Sequence, residues 1–162
     1  MHSVKLGYEA LIDVGIIVIA HFKNPARGYA SKLLFDALTL KKRILIPTST
    51  YLGAYIIMTK YLKIKREIVT KTLLKTLSLE SPAFYENIPK MVTEKALVSA
   101  MELNISSWDS YLVELAKELG INKIYTIDEE LVTKIKGIKV ENPIPESIMK
   151  KYHQFMLEKV KE

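Results

Sequence analysis

The sequence predicts an α/β protein in which a small parallel sheet carries helices on both faces, and three observations predict it. Short apolar runs end abruptly in aspartate or proline, as strands buried on both faces do. Stretches with apolar residues at helical spacing separate those runs. The helical stretch from Ser49 to Leu119 is too long for a dinucleotide-binding domain, and neither GxGxxG nor GxxxxGK[ST] occurs anywhere. The first two observations set a parallel sheet with helical crossovers.

Each element follows in order. Tyr8 to Ile12 (YEALI) reads as a buried strand ending at Asp13. Gly15 to Phe22 is apolar on all sides and predicts a buried helix. Asn24-Pro25 is a helix start, Asn as cap and Pro in first position. Tyr29, Ala30, Leu33, Leu34, Ala37 and Leu38 continue that helix to about Leu40. Arg43 to Ile46 (RILI) is a strand closed by Pro47. Thr48 or Ser49 caps a helix to about Tyr61, and another covers Lys65 to Leu77 before Ser81-Pro82 breaks the pattern. Helices follow from about Pro89 to Leu103 and from near Ser107 to the stop at Gly120. Lys123 to Ile127 (KIYTI) is a strand ending at Asp128, then a helical turn spans Glu129 to Lys134 and a last strand Ile138 to Val140. An amphipathic helix at about 145–161 closes a single domain over residues 1–162.

Composition narrows the function. There is no cysteine, which excludes a thiol nucleophile, a Cys-ligated zinc and a disulfide frame. The three histidines are too scattered for a His-rich metal site. His21, after an apolar run, reads as a satisfied buried or edge histidine. The longest apolar run, Val14 to Ala20, is far short of a membrane span, and no signal-peptide pattern opens the chain. A cytoplasmic protein without membrane association is the expectation. Net charge is +6, and 13 of the 24 basic but 5 of the 18 acidic residues precede Pro82. Lys60, Lys63, Lys65, Arg66, Lys71 and Lys75 concentrate that excess. Such a face suits a polyanion, although a solvated Lys-rich helix surface explains the same pattern. Tyr51, Tyr55 and Tyr61 lie nearby; Tyr51 and Tyr55, at helical spacing, read first as core.

In an open parallel sheet the site lies at the carboxyl ends of the strands. Two strands end directly in Asp13 and Asp128. Asp109 opens the helix before the Asp128 strand, and that helix runs back so that its start meets the strand's end. Each aspartate also has a purely structural explanation: a turn at Asp13, a capping box of Ser106 with Asp109, a cap on the next helical turn at Asp128. Converged, three carboxylates repel unless a cation lies between them. Hard oxygen donors suit Mg²⁺ or Mn²⁺, and the chemistry expected of such a centre is phosphodiester hydrolysis.

These residues carry a resemblance. LIDVG near the start, IPTSTYLGAY after the second strand, WDSYLVELAKELG and KIYTIDEEL resemble, in order, the motifs of PIN domains, the metal-dependent nuclease fold of many prokaryotic toxins and some RNA-processing factors. The match runs from LIDVGIIV to about NPIP. The resemblance implies a PIN-like three-layer α/β sandwich. Asp13, Asp109 and Asp128 match three of the family's acidic ligands and so imply catalytic and metal-binding roles. Thr126 falls where the family often has a hydroxyl beside the site. Two positions depart from the pattern. Gly53 stands where the family usually has a glutamate, and Val14 and Gly15 follow the first aspartate in place of a hydroxyl residue and Asn. Glu129 and Ser49 are auxiliary candidates near the same edge.

The leading expectation is therefore a Mg²⁺- or Mn²⁺-dependent ribonuclease. It would be the toxin of a toxin–antitoxin pair with a small antitoxin as partner, RNA held by Lys60, Lys63, Lys65 and Arg66, and a homodimer as a further assembly. The missing glutamate motivates the alternative of a catalytically degenerate PIN-like domain that binds RNA or protein. A receiver-like phosphoacceptor also gathers aspartates at a sheet edge, but the long helical middle argues against it.

Overall fold

A computed structural model describes residues 7–160. Its strands are β1 (Ala10–Ile12), β2 (Ile44–Pro47), β3 (Phe84–Tyr85), β4 (Lys123–Tyr125) and β5 (Lys139–Glu141). The helices are α1 (Val14–Ala20), α2 (Arg27–Leu38), α3 (Ser49–Ile56), α4 (Arg66–Leu77), α5 (Lys90–Leu103), α6 (Ser107–Leu119), α7 (Glu129–Lys134) and α8 (Glu146–Val160). The expected end of the last helix at residue 161 lies outside the described residues. Among the described residues no helix is long and apolar enough to cross a membrane.

The strands form one sheet in the order β3-β2-β1-β4-β5, every pair parallel. Side chains alternate across a strand, and here the alternation divides two cores. Ala10, Ile12, Ile44, Ile46 and Tyr125 face a core with α1, α2, α3, α4 and α8. Leu11, Leu45 and Ile124 face a second core with α5, α6 and the Leu131 turn. Central strand β1 is wholly buried, which is why its sequence shows no polar alternation. This is a three-layer α/β sandwich, the architecture that the resemblance implies.

Several boundaries differ for local reasons. Asn24 does not cap a helix beginning at Pro25; its Oδ1 accepts from the Ala26 amide at 2.9 Å, and α2 starts at Arg27. The helix expected to run to Tyr61 widens at Ile57 into a π-helical turn ending at Tyr61. β3 is missing from the sequence prediction because two residues carry no period; it exists through pairing with β2. Gly120 ends α6 as expected, in the left-handed region at φ 70°. α8 covers the first core with Met149 and Tyr152.

Candidate active site at the carboxyl edge of the sheet

β1 and β4 are neighbours in register, Ile12 opposite Tyr125, so their ends bring Asp13 and the Thr126–Asp128 segment together. The Asp13 amide extends the ladder by donating to the Tyr125 carbonyl at 2.9 Å. Asp13 then caps α1, Oδ1 accepting from the Val14 amide at 2.7 Å. Its Oδ2 accepts from the Thr126 hydroxyl at 2.5 Å. Thr126, itself fully buried, accepts at the same oxygen from the Asp128 amide at 3.1 Å. One hydroxyl thus ties the first aspartate to the segment carrying the last. Asp128 caps α7, accepting from the Glu130 amide at 2.9 Å and more weakly from the Leu131 amide at 3.4 Å. Asp109 lies in the first turn of α6, where Ser106 Oγ accepts from its amide at 3.1 Å. The structural roles anticipated for Asp109 and Asp128 are therefore real, and each leaves a carboxylate at the sheet edge.

The three carboxylates act on one another electrostatically. Burial pushes the Asp109 carboxyl up, as do the charges of Asp13 and Asp128, and it reaches about 7 against the hydrogen bond from Ser106. Asp128 is also near enough to Asp109 to add to this rise. Burial also raises Asp13, with Asp128 adding to it and the Thr126 and Val14 bonds opposing it. Among the described residues none of the three enters an ion pair with Lys or Arg.

The donor set is entirely carboxylate oxygen, the chemistry that Mg²⁺ and Mn²⁺ take. Each Asp13 oxygen accepts one hydrogen bond and keeps a second lone pair. As the side chains stand, no three acidic or histidine groups among the described residues are near enough to wrap an ion. The residues thus fit a hard cation in donor chemistry and charge.

The remaining candidates separate. Glu129 is exposed on α7. Ser49 is buried at the start of α3, and its Oγ has no partner. Gly53 faces Val14: a Cβ there would lie 2.9 Å from Val14 Cγ2. Lys60, Lys63, Lys65 and Arg66 are exposed. Gly53 of α3 is level with Val14 at the start of α1, whereas Met58 and Ile64 share a cavity with His21 just past its end. The basic segment therefore lies about one α1 length from Asp13, roughly 10 Å. His21 is a satisfied buried histidine, its Nδ1 2.6 Å from the Ile17 carbonyl and its Nε2 2.7 Å from Thr76 Oγ1. Tyr51 is core, as read from the sequence, and Tyr61 is exposed.

Sequence reasoning missed an apolar groove beside the acidic edge. It has a volume of about 410 Å³ and is lined by Val14, Ser49, Leu52, Ile56, Ile88 and Trp108, with Gly53 between them. Leu52 and Ile56 are 71% and 54% exposed, too much for packing residues. Trp108 stacks on Tyr111, but its indole nitrogen is buried without a partner. A signal existed: positions 49, 52, 53 and 56 form a second stripe on α3, apart from the buried stripe of Tyr51, Ala54 and Met58.

No family model matches the chain, and no curated protein matches its sequence. Solved structures do share its fold. PAE2754 from Pyrobaculum aerophilum superposes with a TM-score of 0.57 at 16% identity, over 96% of this chain and 91% of its own. Mycobacterium tuberculosis VapC20, a sarcin–ricin-loop-cleaving toxin, does so with a TM-score of 0.57 at 14% identity, over 81% and 99%. A toxin–antitoxin complex from Klebsiella pneumoniae contains a chain with a TM-score of 0.57 at 18% identity, over 83% and 98%.

Proposed function

We propose that the chain is a divalent-metal-dependent ribonuclease of the PIN type and the toxin of a toxin–antitoxin pair. The observation that carries this reading is the influence of the Asp13 and Asp128 charges on Asp109, without a cationic partner, in a sandwich shared with VapC20. Asp13, Asp109 and Asp128 would hold Mg²⁺ or Mn²⁺, which when bound supplies water activation and neutralises charge at the phosphate. The chain's own residues prepare that centre. Val14 and Thr126 orient Asp13, the α7 amides orient Asp128, and the first turn of α6 holds Asp109. Near neutrality Asp109 releases its proton, which frees a carboxylate for the ion. Lys60, Lys63, Lys65 and Arg66 would bind the RNA backbone one helix length away.

The apolar groove supports a protein antitoxin. It adjoins the carboxylates through Val14 and Trp108, so it suits an amphipathic segment with apolar anchors and a basic residue that reaches the acidic edge. A second copy of the chain would use the exposed Leu97, Val98 and Met101 of α5. Cleavage of single-stranded RNA in Mg²⁺ and in Mn²⁺, absent in chelator and in Asp109→Asn, tests the enzyme. Leu52→Lys with Ile56→Lys should abolish antitoxin copurification while leaving cleavage intact.

Gly53, where a fourth carboxylate would stand, favours one second reading: a PIN-like domain that binds without cleaving. Intact RNA in every divalent ion, with RNA affinity retained, would select it.

A further inference from the structure

A cavity of about 320 Å³ opens at the far end of α1, opposite the acidic edge. Its floor is apolar, from Phe22, Met58 and Ile64, and its rim is cationic, from Lys23, Arg27 and Lys159. Among the described residues no carboxylate lines it. Among the described residues none of the three cations enters an ion pair. On α4, Ile68 and Thr72 line the cavity, joined by Ile64 just before the helix, and this register puts Lys75 along the same side. Glu67, the one acidic residue of α4, lies about 100° round the helix from Ile68. His21 edges the cavity close enough to Arg27 for that charge to act on its ring.

An apolar floor beneath unpaired cations suits an anion joined to a flat or apolar body. A guanidinium fork and two ammonium groups match phosphate oxygens, and the floor can accept a base or ribose. We propose that this cavity binds the phosphate of a nucleotide unit, carried on an RNA strand or on a free or terminal 5′-monophosphate. For the RNA source the inference rests on the ribonuclease reading and deepens it. A strand held both here and at the acidic edge spans at least the length of α1, about 10 Å. The enzyme would therefore prefer strands of several nucleotides to dinucleotides.

The test uses the full chain carrying Asp109→Asn in chelator, so that neither metal nor cleavage enters. Inorganic phosphate, 5′-AMP and a short fluorescein-labelled single-stranded RNA are titrated, with His21 ring resonances and anisotropy as readouts. Arg27 is exposed and Lys159 partly so, which makes the double variant Arg27→Ala with Lys159→Ala safe for folding. It should weaken 5′-AMP and RNA roughly tenfold and reduce the salt slope of RNA binding by about 0.7 for each phosphate no longer neutralised. Lys150→Ala, on the exposed side of α8, should change neither. Displacement of the RNA by 5′-AMP would assign the cavity to a terminal phosphate. RNA that resists displacement, yet weakens in the double variant, would assign it to a backbone diester. Unchanged affinity in the double variant, or an equal loss in Lys150→Ala, overturns the proposal. Cleavage is not read, so failure of the ribonuclease reading would leave the 5′-AMP result standing.

Discussion

Asp109→Asn should make the metal-free protein more stable at alkaline pH and no more stable in acid. Asparagine keeps the shape of a protonated aspartate and cannot ionise. In the parent, burial first and then the charges of Asp13 and Asp128 raise the Asp109 carboxyl from 3.8 to about 7. A carboxyl whose folded value is raised stabilises most when protonated. That advantage is lost as pH climbs from about 4 to about 7, because the unfolded chain ionises first, and it stays lost above. Each unit is worth about 1.36 kcal/mol, which sets a ceiling near 4 kcal/mol. Asp109 is only partly buried, and solvent screening reduces the figure to roughly 2 kcal/mol. For a chain of this length that corresponds to roughly 4–8 °C in Tm. Thermal unfolding in chelator should therefore give a variant-minus-parent difference near zero at pH 3.5 that grows to this size at pH 8. His21 titrates in the opposite sense, since burial lowers it, but it is common to both proteins and cancels. Mn²⁺ should reverse the order at pH 8 by stabilising the parent alone. Parallel pH profiles in chelator would refute the convergence of the three carboxylates.

Thr126→Ala should cost about 1–3 kcal/mol in urea unfolding, because it orphans Asp13 Oδ2 and the Asp128 amide together, while Thr126→Ser should recover most of it. Gly53→Glu gains helix propensity but forces its Cβ to within 2.9 Å of Val14 Cγ2, so a net loss of roughly 1 kcal/mol is expected by chemical denaturation, restored by adding Val14→Ala. In that double variant calorimetry should find tighter Mn²⁺ binding than in the parent, whereas Asp13→Asn should bind none. Mn²⁺ affinity of the parent should rise as pH passes about 7, the Asp109 value, and a flat profile would exclude Asp109 as a ligand.

The sequence by itself determined the layers. Strands buried on both faces must be apolar throughout, so YEALI, RILI and KIYTI announced a covered parallel sheet, and Asp13 and Asp128 at two strand ends marked one edge of it. It also set the caps, since Ser106 and Gly120 act through bonds a few residues long. Tertiary structure decided what depends on partners distant in the chain. β3 has no period of its own and exists because Ala83 and Tyr85 accept from the β2 strand and its end. Thr126 became the link between two aspartates because β4 lies beside β1, 113 residues away in sequence. The place of the basic segment follows from the packing of α3 along α1, which brings Met58 and Ile64 to the cavity past the end of that helix. Residue types and short spacings fix local bonds and burial. The end of a helix at which a charge lies follows from the direction in which whole elements pack, and no short-range pattern encodes that direction.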